Sequence, residues 1–405
     1  MNPNSSQKSL LIIFSVASVV LIGTFLISTF ARGYRLDTNN GFKLKVTGLL
    51  SATSKPKSAS VYIDNLLATA TDDTINLVPG EYHLKIVKDG YLPWEKNIQI
   101  KPEYVYQADA QLFRSSPDLN SITEDNIVNP VTSPDSTKIV YAVASSSAVD
   151  KKPGLYLLEL TEFPILMSRS TQKLLSPNLP NLDWSKYSFE FSPNSRQILA
   201  TSTSKKNPNI YLFSIDQSID SKNLFDVSSK LAQIKNDWQA NRDEIVQKRI
   251  EKLPLEIRDA IATTSATLSY NSSENKVLYQ ASSSAQIKEN LLATPPPTKS
   301  TQTQQRFLNK DSYYVYDIKE DTNFLIGDTS ISQISWLPYS NNLVFIQDKN
   351  IRVSEYDATN YHTIYSGYVS PKIILPTPDG YRLILSTSTN QDPSQNLYSI
   401  TIRDR

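Results

Sequence analysis

A short phrase that joins a tight turn to a β-strand recurs through the second half of the chain. Its copies lie at 133–142, 192–200, 269–280, 336–347 and 376–386. In the first copy Pro134 fixes φ at the second turn position, Asp135 caps the turn, and a β-branched run follows. A second apolar run follows each copy, at 155–158, 210–213, 313–316, 351–353 and 397–400. This repeated pattern of turn, strand, gap and strand predicts a β-propeller.

The turns are spaced unevenly, so some blades must contain insertions. Residues 227–261 place Leu231, Ile234, Trp238 and Ile245 at helical spacing before Pro254 interrupts them, which predicts a projecting pair of helices. Residues 284–309 contain a proline run and a Thr/Gln run with few apolar residues, which predicts a disordered loop.

The propeller is predicted over residues 116–405, with five visible blades. A sixth blade is possible, and its candidate strands include 119–131. The chain stops just after the second apolar run of the fifth blade. The ring therefore closes if an early strand completes that blade.

Residues 42–115 show a different pattern, in which apolar side chains alternate with polar ones over several short runs. Such alternation indicates half-buried strands. Turn signals separate the runs at Asp64-Asn65, Pro79-Gly80 and Asp89-Gly90, where glycine favours a positive φ. Short strands at this spacing predict a small β-sandwich.

This module resembles the PEGA domain, which is named for a Pro-Glu-Gly-Ala turn before a Val-Tyr-Ile-Asp strand. The matching elements are Pro56–Ala59, Val61–Asp64, Leu77–Tyr82 and Lys88–Tyr91 with Trp94. Lysine and serine replace the glutamate and glycine of the name motif. The resemblance implies a compact immunoglobulin-like sandwich of envelope and surface proteins, without known catalytic residues.

The repeated region in turn resembles the propellers of the TolB and WD40-like family, in which a Ser-Pro-Asp-Gly turn precedes the second strand of a blade. Pro378–Gly380 is the closest copy. Ser133–Ser136 lacks the glycine, and Pro338 precedes Tyr339-Ser340.

The stretch Leu10–Phe30 contains no charged residue and has the length of a membrane-spanning helix. We expect a cytoplasmic tail at 1–9, a single transmembrane helix at 10–30 and a linker at 31–41. A cleaved signal peptide is the alternative, with Thr29 and Ala31 as a small-residue site. Arg32 and Arg35 slightly favour a cytoplasmic C-terminal side. The module content outweighs them and predicts a single-pass protein of the cytoplasmic membrane with extracytoplasmic C-terminal domains.

Composition argues against several classes of function. The net charge of +1 offers no basic field, so we expect no nucleic-acid partner. The chain has no cysteine and only two histidines, His83 and His362. We interpret His83 as a solvated strand residue and His362 as part of an inter-strand turn. The sequence therefore predicts no catalytic residue, no metal ligand and no cofactor.

These observations predict a non-catalytic interaction or scaffold protein of the cell envelope, whose propeller binds a protein or glycan partner. The candidate partner-binding residues lie on the inserted helices and are Lys235, Trp238, Arg242 and Arg249. An envelope enzyme, such as a propeller hydrolase or lyase, is one alternative. A ligand sensor that acts through a membrane partner is the other.

Overall fold

A computed structural model gives the fold of the chain. It describes residues 3–31, 34–37, 43–145, 152–160, 171–204, 209–220, 224–255, 258, 265–291, 296, 300–367, 369–387 and 395–404. The chain forms two compact units. The first contains Met1–Asp89, Pro93–Leu112 and Pro296–Gln302, and the second contains Gly90–Leu92, Phe113–Pro295 and Thr303–Arg405.

The first unit begins with one long helix, α1 (Pro3–Ala31). Within it, Ile12–Thr29 is long and apolar enough to cross a membrane, and none of this stretch is buried by the rest of the described chain. The helix is followed by an antiparallel pair of short strands, β1 (Tyr34–Asp37) and β2 (Lys43–Val46).

A β-sandwich of seven strands forms the rest of the first unit, as the alternation predicted. The strands are β3 (Gly48–Lys55), β4 (Ser60–Ile63), β5 (Leu66–Ala70), β6 (Asp73–Leu77), β7 (Gly80–Val87), β8 (Trp94–Ile100) and β9 (Val105–Gln111). One sheet has the order β6-β3-β9 and the other β5-β4-β7-β8. The pairing of β3 with β9 is parallel and the other pairings are antiparallel.

The three predicted turns of this sandwich use positive φ in two cases. Asp64 and Asn65 have φ of 49° and 66°, and Gly90 has φ of 82°. At Pro79-Gly80 the prediction was wrong, because Gly80 already belongs to β7 and is not among the residues with positive φ.

The second unit is the propeller. Five antiparallel blades and one separate pair are formed by its described strands. They are β10 (Leu119–Ser121), β11 (Ile127–Thr132), β12 (Lys138–Val143), β13 (Gly154–Glu159), β14 (Thr171–Pro177), β15 (Tyr187–Phe191), β16 (Gln197–Ser202), β17 (Ile210–Ser214), β18 (Ser265–Tyr270), β19 (Lys276–Ala281), β20 (Ala285–Gln286), β21 (Phe307–Leu308), β22 (Tyr313–Asp317), β23 (Thr322–Gly327), β24 (Ile331–Trp336), β25 (Asn342–Gln347), β26 (Asn350–Glu355), β27 (His362–Ser366), β28 (Val369–Pro376), β29 (Arg382–Thr387) and β30 (Asn396–Thr401).

Each blade begins with its innermost strand. The blades are β11-β12-β13-β14, β15-β16-β17, β18-β19-β22-β23, β24-β25-β26-β27 and β28-β29-β30-β10, numbered here from one to five. The innermost strand of blade 1 contacts those of blades 2 and 5, and the innermost strand of blade 4 contacts those of blades 3 and 5. The described residues thus contain five blades. The stretch 119–131, considered for a sixth, divides between blades 5 and 1.

The early strand β10 closes the ring, as expected. Leu119 pairs with Ile400 and Ser121 with Tyr398. The segment after β10 tightens this closure, because the buried Thr123 hydroxyl donates to the side-chain oxygen of Asn396 at 3.0 Å and accepts the backbone N–H of Leu397 at 2.9 Å. Residues from the two ends of the propeller sequence therefore build one blade.

Both predicted insertions contain regular structure. The first holds the helix α2 (Leu231–Ile250). Most of the region expected to form a second helix lies outside the described residues. The second, expected as a disordered loop, contains the paired strands β20 and β21, and its Ile287 and Leu308 are buried. Its described ends therefore pack on blade 3, because these apolar side chains join the core of that blade.

Candidate partner-binding surface

Helix α2 follows a segment that covers the outer edge of blade 2, which has three strands where each of the other four described blades has four. After β17 the chain turns back along this edge, where Asp226 forms a single bridge with Tyr211. The backbone N–H of Val227 then donates to the carbonyl of Ile210 at 2.7 Å. Asp226 and Val227 therefore lie on the side of β17 on which a fourth strand would pair. Helix α2 continues from this segment and packs across the face of blade 2, where it reaches Leu199 on β16 and Glu190 on β15.

Apolar side chains of α2 contact two blades. At its N-terminal half, the buried Trp238 packs against Leu199 and Ile210 of blade 2, with Leu231 and Ile234 beside it. At its C-terminal half, Val246 and the buried Ile250 join the core of blade 3. The helix therefore links blades 2 and 3.

The three basic candidate residues also contact the propeller. The ammonium of Lys235 donates to the carboxylate of Glu190 on β15. A guanidinium nitrogen of Arg242 lies 3.8 Å from the same carboxylate. Arg249 donates to the carbonyl of Leu268 on β18 at 2.9 Å. The propeller therefore holds these cations while leaving Lys235 and Arg242 40% and 41% exposed and Arg249 exposed, and their part in partner binding stays a prediction.

Their spacing explains this orientation. Lys235, Arg242 and Arg249 are seven residues apart and follow Leu231 by four, eleven and eighteen positions. A helix brings such positions to one side, so the cations share the side of the apolar stripe that packs on the blades. A projection of the helix sequence would have shown this, and it would also have marked Trp238 as an anchor to the propeller.

The solvent side of α2 is acidic. Its exposed carboxylates are Asp237, Asp243 and Glu244, and the exposed Glu251 follows its last residue. Lys248 is also exposed and donates to Glu244 at 2.7 Å. This hydrogen bond and the lysine charge lower the pKa of Glu244. The residues that α2 presents to solvent can therefore bind cations or basic side chains better than anionic ones.

Two buried ion pairs in blade 3 serve its packing. Lys276 lies 2.7 Å from Asp317, and its ammonium stands 4.2 Å above the ring of Tyr356. Arg306 lies 2.9 Å from Asp321, and the hydroxyl of Tyr316 donates to the same carboxylate oxygen at 2.8 Å. Each charge is therefore partnered inside the protein, as burial requires.

The two histidines lie on strands of different modules. His83 lies on β7 with its Nε2 atom 3.6 Å from the carboxylate of Glu95, and both side chains are partly exposed. His362 is the first residue of β27, not part of a turn as expected. Among the described residues, no group of three acidic, histidine or cysteine side chains is placed to hold a metal ion.

Comparison with protein families identifies the first module. Residues 47–116 match the family model of the PEGA domain. No curated protein matches the chain. A crystal structure of TolB from Acinetobacter baumannii is similar at 13% identity with a TM-score of 0.21, covering 80% of this chain and 61% of that one.

Two further solved structures are similar at the same low level. A putative TolB from Agrobacterium tumefaciens is 11% identical, with a TM-score of 0.21 and coverage of 89% of this chain and 99% of that one. An oligogalacturonate lyase in complex with manganese is 11% identical, with a TM-score of 0.23 and coverage of 70% and 68%. Likeness at this level carries no argument about function. The chain therefore carries a module that matches the PEGA domain, followed by a β-propeller.

Proposed function

We propose that the chain is a membrane-anchored, non-catalytic interaction protein of the cell envelope. In this proposal α1 is the anchor and the propeller binds a protein partner. The observation that carries it is the stretch Ile12–Thr29, whose 18 apolar-rich residues are not buried by the rest of the described chain. A helix of this length matches the hydrocarbon thickness of a bilayer, which would cover the side chains that the protein leaves exposed.

We further propose that the sandwich and the propeller lie outside the cytoplasmic membrane. The PEGA match supports this orientation, whereas Arg32 and Arg35 oppose it. Protease added to intact spheroplasts should digest both modules and leave an N-terminal tag protected. Protection of the whole chain would contradict the orientation, and a mature protein that begins near Ala31 would show that α1 is a cleaved signal peptide.

The solvent side of α2 supports a specific binding surface. It presents Asp237 and Glu244 on a helix that is fixed to two blades, so little ordering is needed before a partner binds. Its carboxylates favour a partner that presents lysine or arginine side chains. We therefore assign recognition to this acidic side rather than to Arg242 and Arg249.

A photo-cross-linking residue at the exposed Ala240 tests this assignment in the full chain. The paired change Asp237→Lys and Glu244→Lys should remove the cross-linked partner, because it reverses the charge of the surface. The matched control is Asp216→Lys with Glu289→Lys, which alters the same charge at exposed positions elsewhere on the propeller. Equal cross-linking in both variants would contradict the assignment. Turnover of a glycan or peptide by the purified protein would instead favour an envelope enzyme.

A further inference from the structure

The large apolar side chains that the described sandwich leaves exposed lie toward one end of the domain. They are Leu66, Leu67, Val78, Tyr104 and Val105, with exposed fractions of 74%, 65%, 48%, 46% and 45%. The other large apolar residues of the same strands lie inward or are partly covered. Single exposed apolar residues need no explanation, but a set confined to one end of a small domain does.

Strand pairing places three of them at the end where β3 begins. Gly48, the first residue of β3, pairs with Leu77 of β6, and Val78 follows Leu77. On the other side of β3, Leu49 pairs with Val105, and the carbonyl of Tyr104 accepts the N–H of Leu49 at 2.9 Å. Val78, Tyr104 and Val105 therefore flank the start of the same strand.

The remaining two residues, Leu66 and Leu67, lie on β5 and toward the same end of the sandwich. The hydroxyl of Thr69 donates to the carboxylate of Asp73 at 2.5 Å, which fixes the end of β5 beside the start of β6. From this contact β5 extends backward to Leu66 while β6 extends forward to Leu77, over a similar number of residues. Leu66 and Leu67 consequently lie toward the end at which β6 finishes, rather than toward the opposite end.

This is also the end from which the chain leads to α1. Only Thr47 separates β2 from β3. The hydroxyl of Tyr34, the first residue of β1, donates to the carboxylate of Glu103 at 2.5 Å, and Glu103 precedes Tyr104. Since α1 ends at Ala31, the five exposed apolar residues lie on the side of the sandwich that is nearest to the anchor along the chain.

We propose that this end of the sandwich, with Leu66, Leu67, Val78, Tyr104 and Val105, rests on the headgroup surface of the bilayer that α1 spans. Aliphatic side chains and tyrosine partition into that interface. The connecting segment 32–46 adds charge complementarity, because it has four basic residues against Asp37 alone. Such a segment is attracted to anionic lipids. This inference depends on the proposed membrane anchor.

The absence of cysteine from the chain makes a direct test possible. Full-length single-cysteine variants would carry a nitroxide label in bilayers of equimolar phosphatidylcholine and phosphatidylglycerol. Accessibility to oxygen, which concentrates in lipid, is compared with accessibility to a water-soluble nickel chelate. Leu67→Cys and Val78→Cys report on the proposed contact. Lys57→Cys is the matched control, because its side chain is 82% exposed and follows the opposite end of β3. Val20→Cys reports on α1.

The oxygen-to-nickel ratio should be highest at position 20, severalfold lower at position 57, and intermediate at positions 67 and 78. Pure phosphatidylcholine should lower the ratio at positions 67 and 78 and leave position 20 unchanged. If position 20 reports lipid while positions 67 and 78 match position 57, the headgroup contact is refuted and the anchor stands. If position 20 itself reports water, the proposed anchor fails as well.

Discussion

The turns between the first and second strands of blades 1 and 5 share one hydrogen-bond pattern but differ at their fourth residue. In blade 1 the N–H of Ser136 donates to the carbonyl of Ser133 at 2.9 Å, and in blade 5 the N–H of Gly380 donates to the carbonyl of Thr377 at 2.7 Å. Both fourth residues are left-handed, with φ of 60° and 71°. One turn is thus built with serine and the other with glycine.

The surroundings of the two residues explain the difference. Ser136 is exposed. At Gly380 an added Cβ atom would lie 2.6 Å from the carbonyl oxygen of Pro338 and would also meet the guanidinium of Arg403. Arg403 is buried and donates to the carbonyl of Gly380 at 2.8 Å, and burial lowers its pKa to about 10. Glycine is therefore needed in blade 5 for space, whereas the turn conformation alone tolerates serine.

The largest effect should follow from Gly380→Ala. The new methyl group must displace Arg403 from buried carbonyl groups, at about 1.5–3 kcal/mol. The left-handed conformation costs a residue with a Cβ atom roughly 1–2 kcal/mol more. We expect the free energy of unfolding of the propeller to fall by about 3 kcal/mol, measured by denaturant unfolding of the full chain in detergent with tryptophan fluorescence. Ser136→Ala is the control and should change it by less than about 0.5 kcal/mol. Similar losses of stability in both variants would refute the explanation that position 380 has no room for a Cβ atom.

The sequence predicted the buried strands of the blades but not their innermost or closing strands. All ten strands predicted from the repeated phrases are present, for example β12 and β13, because a short apolar run next to a turn signal marks a strand that is buried in a blade. The innermost strands were not assigned. In β11, Asn129 has φ of 51° and the pairing register shifts between Val128 and Val131, so the apolar period is broken. The closing strand β10 is exposed at each residue and carries no periodic signal.

The candidate surface was harder to predict than the fold. Helical spacing identified α2, but it does not say which charged residues pair with a distant strand. Glu190 lies 45 residues before Lys235, and only the tertiary structure shows that its carboxylate holds Lys235 beside β15. Opposite charges that are far apart in sequence leave no local pattern.

A smaller effect should follow from removal of the side chain that begins the turn. The buried Ser133 hydroxyl donates to the Asp135 carboxylate at 2.5 Å and accepts the N–H of Lys138 at 3.0 Å. Ser133→Ala should therefore lower the free energy of unfolding by about 1–2 kcal/mol. Ser133→Thr is the matched control, because Thr377 occupies this position in blade 5 and accepts the N–H of Arg382 at 3.2 Å. A loss as large in the threonine variant would show that shape, and not the hydroxyl, decides stability.

The stability that the blade 1 turn contributes should depend on pH, because it has Asp135 where the blade 2 turn has Asn194, which does not titrate. Burial raises the pKa of Asp135, but hydrogen bonds from Ser133 and Thr137 outweigh it and lower the pKa to about 2. Because the folded pKa lies below the unfolded value of about 3.9, the carboxylate stabilises the fold above about pH 4 and loses this contribution as pH falls toward 2. Any stability advantage of the native chain over Asp135→Asn should therefore shrink between pH 4 and 2. An advantage that does not change with pH would contradict this assignment.

The smallest effect should come from Ser136→Gly, which makes the blade 1 turn resemble that of blade 5. Glycine removes the roughly 1–2 kcal/mol cost of the left-handed conformation. It also gives the unfolded chain more conformational freedom, which costs about 0.4–1 kcal/mol on folding. The difference predicts a gain of about 0.5 kcal/mol in the free energy of unfolding, detectable as a shift of the denaturant midpoint with an unchanged slope. The N–H of Ser136 donates to Ser133 through the backbone, so this hydrogen bond persists in the variant.

A loss of stability in Ser136→Gly would mean that the Ser136 side chain contributes to the turn. The contrast between a serine that is tolerated in blade 1 and a glycine that is required in blade 5 would then fail.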